Sequence, residues 1–164
     1  ERKFSEASSE SSKALAISGN YRDTSIEATF TLALSKALLG DNKALALSAE
    51  AVKMATETGD NTLICHALLA QAEVELHNGS AQSALTSAMQ AQERAARGGQ
   101  LDSQWRASLI AAKACEKLGD NAGRDQNLKQ ASNTLLQLQQ VWGEETFKLY
   151  LSRPDIRLYQ KQLG

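Results

Sequence analysis

The chain has 164 residues, 42% of them hydrophobic and 23% charged, which supplies a core for one domain and excludes disorder. Eighteen Lys and Arg against nineteen Asp and Glu leave a formal charge of -1, so no global field favours nucleic acid or an anionic membrane. No apolar run approaches the roughly 20 residues needed to cross a bilayer, and the opening residues lack the basic-then-apolar pattern of a signal peptide, which points to the cytoplasm. A start at Glu1 without Met predicts a piece excised from a longer protein.

Aromatic and β-branched clusters are sparse, while Ala, Leu and Gln recur in long runs, so strands are not expected. The first helix is predicted over 4–18 and ends at Gly19. Helices follow over 23–39, 42–58, 62–78, 81–97, 102–118 and 121–141. Most end at a glycine, the residue that takes the left-handed cap conformation without a Cβ clash. Gly19, Gly59 and Gly99 are spaced by 40 and 40, and Gly40, Gly79 and Gly119 by 39 and 40. Two interleaved series mean that each repeat holds two helix ends. Candidate caps for one set of helices are Asp23, Asn61 and Asp102, and for the other Asp41, Ser80 and Asp120. Thr24 to Glu27 reads as a capping box. The short loops force consecutive helices to lie antiparallel.

Small residues keep the same register: Ala33, Ala72 and Ala112 in one helix of each pair, Ala51, Ala91 and Ala131 in the other. Around them Leu32, Leu45, Val52, Leu68, Val74, Leu85, Ile110, Leu118, Leu128 and Leu135 offer apolar surface that one helix pair cannot bury alone. Cys65 and Cys115, fifty residues apart and inside helical stretches, read as packed thiols. Residues 144–164 leave the lattice. There Phe147, Tyr150 and Leu151 share a helical face, and Trp142, Ile156, Leu158 and Tyr159 add most of the remaining aromatic and apolar bulk. Such a segment suits a cap over the last apolar face, or alternatively a binding epitope.

No phosphate loop, nucleophile elbow or paired-His motif occurs, so neither an enzyme nor a cofactor is expected. Glu73 and His77 have the spacing of two metal ligands, but a zinc site requires more. Acidic Glu27, Glu50, Glu57 and Asp60 precede basic Arg94, Arg97, Arg106, Lys113, Lys117 and Arg124, an asymmetry that could orient a charged partner or simply form solvated faces.

The stretches "LALSKALLGDNKALALSAEAV", "LAQAEVELHNGSAQSALTSAMQA" and "IAAKACEKLGDNAGRDQNLKQAS" resemble tetratricopeptide repeats, with a small residue in the first helix, a Gly-Asp type of turn, and small residues in the second. The unit is longer than the family's usual 34 residues, and is similar to long-repeat arrays of bacterial signalling and regulatory proteins. Lys36, Gln71 and Glu75 stand where the family favours large apolar side chains, and Arg124 where a small one is expected unless Gly123 takes its place. The resemblance implies an all-α fold, a right-handed superhelix of antiparallel helix pairs with a C-terminal capping helix. It divides residues 1–164 into a truncated repeat (4–18), three full repeats (23–58, 62–97, 102–141) and a cap (144–164).

In this family the first helix of each pair lines a concave face that takes peptides. In register, that face would comprise Glu27, Phe30 and Leu34, then His66, Leu69 and Glu73, then Arg106, Leu109 and Lys113. The stripe Phe30, Leu69, Leu109 is apolar throughout, and periodicity alone leaves open whether it is groove or core. The family's recognition of chaperone C-termini, which uses Lys and Asn in the groove, is not expected from these residues. The function implied is a scaffold for a protein or peptide partner within a larger signalling protein. The alternative is a structural spacer or self-association element, with the open N-terminal end as a route to a homo-oligomer.

Overall fold

In the computed structural model, which describes residues 3–160, the Ala- and Leu-rich runs are helical and no strand occurs among the described residues. The helices are α1 (Phe4–Ser18), α2 (Arg22–Leu38), α3 (Ala44–Thr58), α4 (Asn61–His77), α5 (Ala81–Arg97), α6 (Leu101–Leu118), α7 (Asn121–Trp142), α8 (Glu144–Ser152) and α9 (Pro154–Gln160). None of the described helices is long and apolar enough to cross a membrane. The six glycines of the two series all adopt positive φ, from 50° at Gly19 to 80° at Gly79, so the chain reverses where the lattice places its helix ends.

Each helix from α1 to α7 packs on its sequence neighbours, and α2, α4 and α6 also pack on one another in series. These three therefore form a continuous layer with one face left for other contacts. The alanine register explains the packing, since Ala33, Ala72, Ala112, Ala51, Ala91 and Ala131 are all buried. Their methyl groups let neighbouring backbones approach toward the short end of the usual interaxial range. Larger side chains fill the flanks: Ile26, Leu63, Ile64 and Leu68 cluster with Ala51, Ala55 and Ala91. Cys65 and Cys115 are buried free thiols. Leu45 and Leu118, expected in the core, are exposed, because each lies at a helix end beyond the reach of the stacked neighbours.

Several caps differ from the sequence expectation. Helix α2 starts at Arg22, so Asp23 lies in its first turn, and neither it nor a Thr24–Glu27 box caps the helix. Asp60, one residue before the expected Asn61, caps α4 by accepting bonds from the Thr62 and Leu63 amides at 2.7 and 2.9 Å. Asn61 instead donates its side-chain amide to the Arg94 carbonyl of α5 at 3.2 Å. Asp102 is likewise inside α6, drawn away from the backbone by a Tyr150 hydroxyl. Ser80 makes no capping bond. Asp120 does cap α7, through the Gly123 amide at 2.9 Å.

Gly123 also resolves the small-residue position of the last repeat. A Cβ there would strike the Asp120 carboxylate and lie 2.9 Å from the Cys115 sulfur, whereas Arg124 lies alongside and pairs with Asp125. The polar departures Lys36 and Glu75 occupy corresponding places near the ends of α2 and α4. Lys36 is ion-paired with Asp41, whose carboxyl is held below its usual value chiefly by that bond, and further by the Lys43 amide.

Glu75 is buried, and its Oε2 has no hydrogen-bond partner among the described residues. Burial pushes its carboxyl pKa up, against a smaller downward effect of the Ser87 hydroxyl. A folded-state pKa above the unfolded value means that the protonated form fits and the carboxylate costs stability. That cost is absent below the ordinary glutamate pKa and grows as pH rises through the raised one. Glu75→Met, which removes the charge at similar length, is expected to stabilise the protein by about 1–3 kcal/mol near neutrality, with little gain near pH 4. Thermal melts of both proteins across this range check it, and a pH-independent difference would contradict it.

The last two helices turn back over the layer. Phe147, Tyr150 and Ile156 join Trp105, Leu109, Ala131, Leu135 and Leu138 in one buried cluster, with Leu151 and Tyr159 packed against it. Trp142 is half-exposed but meets Tyr150 edge-on, ring centroids 5.1 Å apart. The side chain of Leu158 lies outside the described residues, as do residues 161–164. At the opposite end, Ile17 and Tyr21 are among the most exposed large apolar side chains, beside the α1–α2 turn.

Candidate functional site

Helical spacing puts Phe30 and Leu34 one turn apart on α2, His66, Leu69 and Glu73 along one side of α4, and Asp102 and Arg106 one turn apart on α6. Because α2, α4 and α6 pack side by side, these stripes meet. Phe30, Leu34, His66, Leu69, Ala70, Glu73, Asp102 and Arg106 line one groove of about 330 Å³, and Arg153 and Tyr159 join them from the C-terminal segment. That volume is near the lower end of the range for ligand pockets.

Among the nine residues that sequence register placed on the concave face, Phe30, Leu34, His66, Leu69, Glu73 and Arg106 come together in this groove. Three do not. Glu27 is exposed one turn before Phe30 on α2 and does not line the groove. Lys113 lies in a separate depression with Leu76, His77, Glu116 and Lys117, so His77 and Glu73 also line different depressions. Leu109 is core, at 1% exposure, and this corrects its placement on the binding face. In the third repeat, α8 and α9 lie over α6, and Phe147, Tyr150 and Ile156 cover the surface that Leu109 would otherwise present. The apolar stripe is thus groove at Phe30 and Leu69 and interior at Leu109.

A polar network holds the C-terminal segment in this position. The Trp105 indole nitrogen donates to the Tyr150 hydroxyl at 2.8 Å, and that hydroxyl donates to Asp102 Oδ1. Arg106 Nε stands 3.4 Å from the same carboxylate oxygen. Tyr150 is pushed well above its ordinary pKa, first by burial and then by the Asp102 carboxylate, so it stays a neutral donor. Rings extend the contact: Trp105 meets Tyr150 and Tyr159 edge-on at 6.5 and 5.9 Å. The Arg106 guanidinium lies 5.6 Å from the Tyr159 ring and that of Arg153 5.8 Å from the Tyr150 ring.

Sequence reasoning missed Ala70, Asp102, Arg153 and Tyr159. Asp102 could have been found from its four-residue spacing to Arg106, had a capping role not been assigned to it. Nothing local signals that Arg153 and Tyr159 turn back toward α2 and α4. Comparison with protein-family models, with curated proteins and with solved structures finds no match to this chain.

Proposed function

We propose that the chain is a protein-interaction module of the tetratricopeptide kind, a right-handed stack of helix pairs within a larger signalling or regulatory protein, and that its groove holds a peptide segment of a partner. The observation that carries this reading is the convergence of half-exposed Phe30, Leu34 and Leu69 with His66, Glu73 and Arg106 from three consecutive inner helices. Apolar side chains kept partly open beside charged ones offer both anchoring and orientation.

Selection of a displayed random peptide library on the immobilised protein tests this. Enriched peptides are expected to lose at least about tenfold in affinity with Leu69→Arg, which places a desolvated charge at the anchor. Met89→Arg, at an exposed position of α5 outside the groove, is expected to leave binding unchanged. Equal binding to the wild type and the Leu69 variant would overturn the reading.

A further inference from the structure

Resting on the groove reading above, we infer that the C-terminal helices α8 and α9 form a wall of the groove whose docking on α6 is coupled to partner binding, with the Tyr150 hydroxyl as the positioning group. Helices of 9 and 7 residues are too short to hold themselves in water. Their placement therefore depends on what they touch. Phe147, Tyr150 and Ile156 share one buried cluster with Trp105 and Leu109, and the Tyr150 hydroxyl accepts from the Trp105 indole at 2.8 Å and donates to Asp102. On α9 the Tyr159 ring meets Trp105 edge-on and lies 5.6 Å from the Arg106 guanidinium.

Asp102, Arg106 and Tyr159 belong to both arrangements: they take part in holding the C-terminal helices, and they line the groove, which Arg153 joins from the same segment. A ligand resting on these residues binds the docked arrangement better than an undocked one, where that wall is missing. By linkage it then strengthens docking by the factor by which docking strengthens it. The sign would reverse if α8 and α9 were a cover displaced by the partner, because Leu109 corresponds in register to Phe30 and Leu69 and its release would lengthen the apolar stripe. Burial favours the wall. Trp105 is fully buried and Leu109 is 1% exposed, so displacement would return both to water and break the indole bond to Tyr150.

Hydrogen exchange of the full chain, followed by nuclear magnetic resonance with and without a Leu69-dependent peptide from the selection above, tests the coupling. Saturating peptide is expected to slow exchange of the Trp105 indole proton and of the α8 amides at least about fivefold more than exchange of the α3 amides, because undocking is a local opening. The double variant Tyr150→Phe/Ile156→Ala removes the positioning hydroxyl and a fully buried side chain of α9, neither of them part of the groove lining. It should weaken the same peptide by about fivefold or more, as the docked fraction falls. Equal slowing in α3 and α8, or a double variant that binds as the wild type does, overturns the coupling and leaves the groove as the binding site. Faster indole exchange with peptide, or tighter binding by the double variant, also overturns it and makes the helices a cover over Leu109. If no selected peptide depends on Leu69, the groove reading fails and the coupling with it.

Discussion

Trp105→Ala is expected to destabilise the protein by about 3–5 kcal/mol, the cost of deleting a large aromatic side chain from a core. Trp105 is fully buried and touches both halves of the C-terminal arrangement, the Leu109, Leu135 and Leu138 side and the Phe147, Tyr150 and Ile156 side. Its removal opens a cavity where α6 meets the last helices, and it strips one hydrogen bond from the Tyr150 hydroxyl. Trp105→Phe keeps most of the volume and loses the indole donor, so its cost should be nearer to 1–2 kcal/mol, roughly a hydrogen bond plus a small packing defect. Urea denaturation of the three proteins compares them. Equal midpoints for the wild type and the Ala variant would mean that α8 and α9 do not rest on Trp105.

Ala72→Leu and Ala112→Leu are each expected to cost about 1–3 kcal/mol through overpacking. Ala72 packs in a seam with Ala88, Ile110 and Ala111, where methyl groups set the distance between α4, α5 and α6. A leucine there has no solvent to turn into, so the helices must separate or the side chain must leave its preferred rotamer. Denaturation midpoints unchanged in both variants would contradict the alanine register as the determinant of the layer. The same substitution at exposed Ala96 on α5 should be nearly neutral and serves as the control.

The backbone reversals and the alanine seam were legible in the sequence because both depend on local or strictly periodic chemistry. Glycine in the left-handed region ends a helix whatever surrounds it, and every glycine of the two series does so. Small residues repeated at 39 or 40 positions mark close helix approach in the same way. Caps were less legible, since Asp60 and Asn61 are adjacent polar residues and the choice depends on which side-chain oxygen can reach two amides at once. The groove was legible only in part. Register placed Phe30, Leu69 and Leu109 as equivalents, but equivalence within a repeat says nothing about a segment that folds over the third copy. Burial of Leu109 under Tyr150 and Ile156 is a long-range contact with no periodic signature. For the same reason Arg153 and Tyr159 were not foreseen as groove residues. Lys36 and Glu75 look alike as polar departures. Only the structure separates them, one ion-paired with Asp41 and the other buried with a carboxylate oxygen that has no hydrogen-bond partner among the described residues.

Partner binding on the α2–α4–α6 face is tested most directly by nuclear magnetic resonance of the labelled protein titrated with a selected peptide. Amide shift changes are expected to concentrate around Phe30 and Leu34, around His66, Leu69 and Glu73, and around Arg106 and Arg153. Helices α3, α5 and α7 should remain unaffected. Changes centred on α5 and α7, around Met89 and Gln130, with the α2–α4–α6 face undisturbed, would contradict it.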